Sequence, residues 1–230
     1  MLKLAIIVPV LDEGQGISRS LAALAPMRAR GVEVIVVDGG SRDDTRALAT
    51  PHADRVLEAP RGRAAQMNAG AASANAGVLL FLHADTRLPH AADRLIHDGL
   101  ARTGRVWGRF DVAISGAHPM LAVVAALMNA RSRLTGIATG DQAMFMTRAA
   151  FDAIGGFPAL PLMEDIEASR RLKRLSPPLC LGAPVQTSGR RWEAKGVWRT
   201  IFLMWSLRLR WFLGADARAL ARAYGYAPRD

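Results

Sequence analysis

The stretch "VEVIVVDGGSRDDT" (residues 32–45) sets a run of β-branched residues directly against a polar turn. Valine and isoleucine fill positions 34–37, which suits a strand buried on both faces. Asp38 closes the run, Gly39 and Gly40 make the turn, and Ser41 with Asp44 three residues on predicts a capping-box-like helix start. Strand, glycine turn and helix in that order form the repeating unit of a parallel sheet with crossover helices.

The same unit recurs on both sides. "LAIIVPV" (4–10) predicts a first strand, and the segment from Ile17 carries Leu21 and Leu24 on one helical face before Gly31 stops it. "RVLEA" (55–59) predicts a short strand, residues 63–75 an Ala-rich helix and "VLLFLHAD" (78–85) a further strand. Beyond residue 100 the rhythm loosens: "RVWGRFDVAI" (105–114) reads as a strand, 119–134 as a helix, "QAMFMTR" (142–148) as a strand and 164–175 as a charged helix. The fold class expected is α/β, an open, mostly parallel sheet flanked by helices, over residues 1–196. Residues 197–230 read as a helical C-terminal extension.

The 230-residue chain carries 30 Lys and Arg against 20 Asp and Glu, a net charge of +10. That excess invites an anionic partner: nucleic acid, acidic lipid or a phosphorylated small molecule. A single cysteine, Cys180, excludes an intrachain disulfide and suits a reducing compartment. The opening "MLKLAIIVPVLDE" ends its apolar run in two carboxylates with no small-residue cleavage site, so it reads as a strand rather than a signal peptide. "PMLAVVAALM" (119–128) and "TIFLMWSL" (200–207) fall short of the roughly 20 residues that a membrane-spanning helix needs. A cytoplasmic protein is expected.

Three predicted strands end in acid: Asp12 and Glu13, Asp38, and Asp85. Ligands of open parallel sheets bind outside the carboxyl ends of the strands, so these acids mark the edge to examine. Asp38 is suited to accept hydrogen bonds from a base or ribose, with the Gly39–Gly40 turn admitting close backbone approach. Arg61 and Arg63, at a predicted helix start, favour an anion. Neither G-x-G-x-x-G after the first strand nor G-x-x-x-x-G-K-[ST] occurs, which argues against a dinucleotide dehydrogenase and a P-loop NTPase. His83 and Asp85 project to one side if the chain stays extended, within reach of one divalent cation. A His–Asp hydrogen bond capping the next helix is the second reading of that spacing.

"IIVPVLDE" (6–13), "VIVVDGGSRDDT" (34–45), "RGRAAQMNAGA" (61–71), "LLFLHADT" (79–86) and "GGFPALPLMEDIEASRRLKR" (155–174), in this order, resemble a family 2 glycosyltransferase of the GT-A fold. The His-Ala-Asp triplet and "TSGRRWEAKG" (187–196) resemble a bacterial subgroup associated with radical-SAM and selenium-domain proteins. The resemblance implies a Rossmann-like nucleotide-binding half with Pro9, Leu11 and Glu13 around the base, Asp38 on base or ribose, and Arg63 across the nucleotide. It makes Asp85 the acid that holds Mn²⁺ or Mg²⁺ on the diphosphate, with His83 standing where a first acid is expected, as second ligand or ribose contact. It further implies Asp165 as general base with Glu164 orienting it or the acceptor, Arg190 and Arg191 closing over the diphosphate, Trp192 against a sugar, and Asp141 in "TGDQAMF" (139–145) beside the acceptor. The activity implied is inverting transfer of a sugar from a UDP- or GDP-linked donor to a hydroxyl acceptor, often lipid-linked.

"WRTIFLMWSLRLRWFL" (198–213) places Trp198, Ile201, Phe202, Trp205, Leu209 and Phe212 on one helical stripe, with Arg199, Arg208 and Arg210 beside them. Three readings remain: a helix lying in an anionic membrane surface, a helix packed on the catalytic domain, or a homodimer contact. Two other functions compete with the transferase. A sugar nucleotidyltransferase wants a Gly-rich phosphate loop where this chain has the acidic "LDEGQG" (11–16). A non-catalytic module for RNA or acidic membrane has no use for acids at three strand ends. No nucleic-acid partner is expected.

Overall fold

The computed structural model describes residues 2–226, and of Arg191 the backbone alone. Eight strands form one sheet in the order β3-β2-β1-β4-β7-β6-β8-β5. They are β1 (Leu4–Val10), β2 (Glu33–Asp38), β3 (Arg55–Glu58), β4 (Val78–Phe81), β5 (Thr86–Arg87), β6 (Trp107–Ser115), β7 (Phe145–Thr147) and β8 (Leu179–Ser188). Strands β1 to β4 pair in parallel, as the repeated strand-turn-helix units predict. Past β4 the sheet is mixed: β7 runs antiparallel to β4 and β6, β8 parallel to β6, and β5 antiparallel to β8.

The helices are α1 (Ile17–Ala22), α2 (Ala25–Arg28), α3 (Thr45–Ala49), α4 (Arg63–Ser73), α5 (Ala92–Thr103), α6 (Met120–Thr135), α7 (Arg148–Ala153), α8 (Glu164–Leu172), α9 (Arg190–Lys195), α10 (Val197–Phe212) and α11 (Ala217–Tyr224). Residues of β1 alternate between two cores. Leu4, Ile6, Val8 and Val10 join Ile17 and Leu21 of α1 on one face, and Ala5 and Ile7 join Ala64, Met67 and Ala71 of α4 on the other. A strand buried on both sides has no polar alternation, hence the continuous apolar runs. Among the described residues no helix is long and apolar enough to cross a membrane.

Several sequence expectations shift. The helix after Asp38 begins at Thr45, with Asp44 in the cap position, because Ser41 is engaged elsewhere. The segment from Ile17 breaks into α1 and α2, with Pro26 within the first turn of the second. Strand β4 stops at Phe81, four residues before Asp85. Strand β8, which the sequence pattern did not announce, carries Gly182 and Pro184 at an irregularity where Phe110 pairs with Leu181 and Asp111 with Pro184. Two extra residues on one strand make a bulge, the position within a sheet that tolerates proline.

Candidate active site

The carboxyl ends of β1 and β2 are joined by a buried amide. Gln66 on α4 donates from Nε2 to Val10 O and Val37 O, both at 2.8 Å, and so satisfies the two carbonyls from which the acidic loops leave. Those loops are stitched together. The Asp12 N–H donates to Ser41 Oγ (2.9 Å), Arg42 N–H to Asp12 Oδ1 (2.8 Å), Glu13 N–H to Thr45 Oγ1 (2.8 Å) and Gly14 N–H to Asp43 Oδ2 (2.9 Å). These contacts hold Asp12 at φ 53°, a left-handed conformation that costs a non-glycine residue about 1–3 kcal/mol.

Asp38 is fully buried, and its carboxylate accepts from Gly40 N–H and Ser41 N–H (each 3.0 Å) and from the Ser41 hydroxyl. It is therefore a loop-building residue, tying Gly40 and Ser41 to the end of β2. Pro9 lies within β1 opposite Val37, and Leu11 begins the loop beyond it; both are half-buried.

A cleft of about 450 Å³ opens beside Glu13 and Asp85, lined also by Arg19, Arg87, Ser188 and Arg190. Burial first, and then the charge of Asp85, push the Glu13 carboxyl above its usual range, while Arg190 pulls it back. Arg190 reaches the cleft because β8 pairs with β5, Thr187 opposite Thr86, so the end of β8 meets the loop after β4. Arg19 and Arg87 are additional cations that sequence reasoning did not single out. Arg87 stands two residues past Asp85, and that spacing was the available signal. Arg191, expected beside Arg190, has its side chain outside the described residues.

His83 and Asp85 both act on the Glu13 carboxyl, Asp85 raising and His83 lowering its pKa, but His83 contacts a different segment. The chain leaves the extended state after Phe81 and turns, Thr86 N–H donating to His83 O at 3.0 Å, so the alternation of an extended strand does not govern His83 and Asp85. The His83 Nδ1 lies 3.3 Å from Asp141 Oδ1, and a Cβ on Gly140 would sit 2.4 Å from Nε2. Both ring nitrogens thus lie against the 140–141 segment. Among the described residues no group of three or more His, Cys, Asp or Glu is arranged around a metal position.

Asp141 and Gly140 form a short 3₁₀ turn that docks on α8. Asp165 Oδ2 accepts the Gly140 N–H at 2.8 Å and Oδ1 accepts the Ile166 N–H at 2.7 Å, which fixes the carboxylate and leaves each oxygen a further lone pair. Ser169, one turn on, bonds the N–H and carbonyl of Ala138. Glu164 is 3% exposed; burial first, and then Asp165, push its carboxyl above the usual range, against the pull of Arg63. Arg63 Nη1 is 3.7 Å from Glu164 Oε1, and Nη2 donates to the Tyr226 hydroxyl at 2.5 Å. Arg63 is thereby a strut between α4, α8 and the chain's C-terminal end.

The loop before α8 is built by Gly155 (φ 73°) and Gly156 (φ 72°), two successive left-handed residues, followed by Phe157 wedged 4.8 Å edge-on against Phe81. Asn68 of α4 bonds both the N–H (2.9 Å) and the carbonyl (2.8 Å) of Phe157. Trp192, half-buried, packs against Leu121, Val124, Val197 and Ile201 where α9 meets α6 and α10.

Residues 5–151, well over half of the chain, match the model of the family described as glycosyl transferase family 2. The chain belongs to glycosyl transferase family 2. An uncharacterized glycosyltransferase of Nostoc sp. (strain PCC 7120) is 26% identical over 103 residues, 41% of this chain and 32% of the relative. This family 2 chain therefore aligns with about a third of that relative's length. Its structure is similar to S. aureus TarS 1-349 in complex with UDP (TM-score 0.66, 16% identity, 81% of this chain and 60% of that one). It is similar also to the Pyrobaculum calidifontis mannosyltransferase PcManGT in complex with GDP-Man and Mn²⁺ (TM-score 0.65, 20% identity, 98% and 69%). A third match is glucosyl-3-phosphoglycerate synthase from Mycobacterium tuberculosis with Mn²⁺, UDP and glucosyl-3-phosphoglycerate (TM-score 0.59, 19% identity, 81% and 70%). At these identities the likeness is one of fold, and the fold is GT-A.

Proposed function

We propose that this protein is an inverting glycosyltransferase that moves a sugar from a nucleoside diphosphate to a hydroxyl acceptor, with Asp165 as general base. The observation that carries the proposal is the placement of two dissimilar carboxylate groups. Asp85 is exposed at the rim of a cleft that also holds Glu13 and Arg190, and Asp165 is oriented by the N–H groups of Gly140 and Ile166, Gly140 lying in the turn whose Asp141 meets His83.

Asp85 fits a divalent cation in part. It is exposed, and its hydroxyl partner, Thr86, is 3.4 Å away, but it supplies a single carboxylate. Mg²⁺ and Mn²⁺ sites of one or two carboxylates are completed by substrate phosphates and water, which suits a donor diphosphate. The metal when bound offsets negative charge on the leaving diphosphate. Arg190, Arg87 and Arg19 add fixed positive charge at the same cleft. The acidic loop of Asp12 and Glu13 bounds the donor cleft beside them.

On the acceptor side, Asp165 takes the hydroxyl proton as that oxygen attacks the anomeric carbon opposite the diphosphate. Its hydrogen bonds from Gly140 and Ile166 orient it without using all its lone pairs. His83 holds Asp141 and so positions the turn that carries Gly140. The solved relatives bound to UDP, to GDP-Man and to Mn²⁺ support a nucleotide-sugar donor and a divalent cation.

Calorimetric titration of UDP and of GDP, with and without Mn²⁺, tests the donor side and assigns the base. Binding that requires Mn²⁺ and disappears in Asp85→Ala is expected. Donor hydrolysis and transfer assays then test the base: Asp165→Asn is expected to keep nucleotide binding while losing about 10²–10⁴-fold in turnover. Absence of binding by either nucleotide under any metal condition would overturn the reading, and full turnover in Asp165→Asn would remove that residue as base.

A further inference from the structure

Helix α10 shows two apolar faces. One is packed: Val197 and Ile201 meet Leu121 and Val124 of α6, and Leu207 joins Leu162, Met163 and Leu220. The other is bare. Trp198 is 56% exposed, Phe202 64%, Trp205 63%, Leu209 59%, Phe212 86% and Leu213 73%. The first five follow one another at intervals of three or four residues, a single stripe along the helix. A row of large aromatic and aliphatic side chains at that exposure is not scattered surface hydrophobicity but a surface built for contact.

Charge identifies the contact. Between residues 197 and 226 the chain holds Arg199, Arg208, Arg210, Arg218 and Arg222 and one acid, Asp216. Asp216 is occupied in capping α11, its Oδ1 accepting from Arg218 N–H and Ala219 N–H, each at 3.0 Å. Arg199 and Arg210, which flank the stripe, are exposed. In a two-fold dimer built on this stripe, like charge would confront like charge. A bilayer surface carrying anionic headgroups matches both features, with apolar rings at the acyl boundary and guanidinium groups among the phosphates.

We infer that the outward face of α10 docks on an anionic lipid surface, with the helix lying in the plane of the interface. Arg190, at the cleft, opens the six-residue helix α9, and α10 begins two residues after α9 ends.

Vesicle co-sedimentation of the full chain decides the matter, with phosphatidylcholine alone against phosphatidylcholine mixed with phosphatidylglycerol. Binding to the mixed vesicles is expected, with partitioning about tenfold weaker to phosphatidylcholine alone and about tenfold weaker in the double variant Trp205→Ser, Phe212→Ser. Both substituted residues are exposed, and an unchanged melting temperature of the variant will show that its fold is intact. Quenching of tryptophan fluorescence by brominated lipid, reduced in Trp205→Ser, is expected to place the stripe at the acyl boundary. Absence of sedimentation with phosphatidylglycerol vesicles overturns the inference. So does a concentration-dependent dimer abolished by the double variant and unaffected by lipid, which assigns the stripe to a second copy.

Discussion

His83 shows how far a spacing can be trusted. Two residues apart on an extended strand, His83 and Asp85 would face one way; the turn after Phe81 sends the imidazole to Asp141 and leaves Asp85 at the cleft. A turn of this kind is set by what packs around it, here the bare backbone of Gly140, and no residue between 79 and 86 announces it. The acids themselves were legible, because carboxylates at the ends of apolar strands are conspicuous. Gln66 was not, since a glutamine in an Ala-rich helix looks like a solvated side chain until β1 and β2 arrive beneath it. Glu164 yields a prediction about pH. Burial and Asp165 raise its folded-state pKa above the unfolded value, so the ionised form costs stability as pH rises through that folded value. Glu164→Gln is expected to raise the melting temperature near neutral pH. The difference should vanish below about pH 4, where the side chain is protonated in both states. A melting temperature lowered at neutral pH would show that the Arg63 contact outweighs the burial.

Helix α4 illustrates an element whose glycine is structural. A helix-interior glycine ordinarily costs about 1 kcal/mol relative to alanine, so Gly70→Ala would be expected to stabilise. Here a Cβ would lie 2.5 Å from Ile7 Cγ2 and 3.0 Å from Val37 Cγ2, inside the contact that seats α4 on β1 and β2. The substitution is therefore expected to destabilise by about 1–3 kcal/mol, read as a lower urea midpoint with an unchanged m-value. Gln66, one turn earlier on the same helix, would be displaced from the strand-end carbonyls, so nucleotide affinity should weaken in parallel. The first four strands were legible because each is a short apolar run followed by a turn. Strand β8 escaped notice because Gly182 and Pro184 interrupt its pattern, and the bulge that accommodates them exists only against β6.

Across the molecule, the C-terminal helices belong to the same structure as the site. Leu162 and Met163, immediately before Glu164, are buried against Leu207, Leu220 and Ala221, and Tyr226 bonds Arg63. A chain ending at residue 196 would expose Leu162 and Met163 together with Leu121 and Val124 of α6. Each such side chain is worth about 1.5–3 kcal/mol of burial. At about 2–4 °C per kcal/mol for a domain of this size, a melting temperature roughly 10 °C lower or more is expected. A melt unaffected by the truncation would show that residues 197–230 are an independent appendage.

The order of strands, turns and acids, and with it the α/β class and the GT-A resemblance, was written locally: hydrophobic period and turn chemistry act over a few residues and survive without their neighbours. The direction a side chain faces was not. What Trp192 packs on, which side of α10 is bare and how Arg63 comes to meet Tyr226 depend on contacts between segments far apart in sequence. Such contacts depend on which surfaces remain once the sheet has assembled, and a stripe of Trp and Phe reads the same in one dimension whether the protein or a membrane covers it.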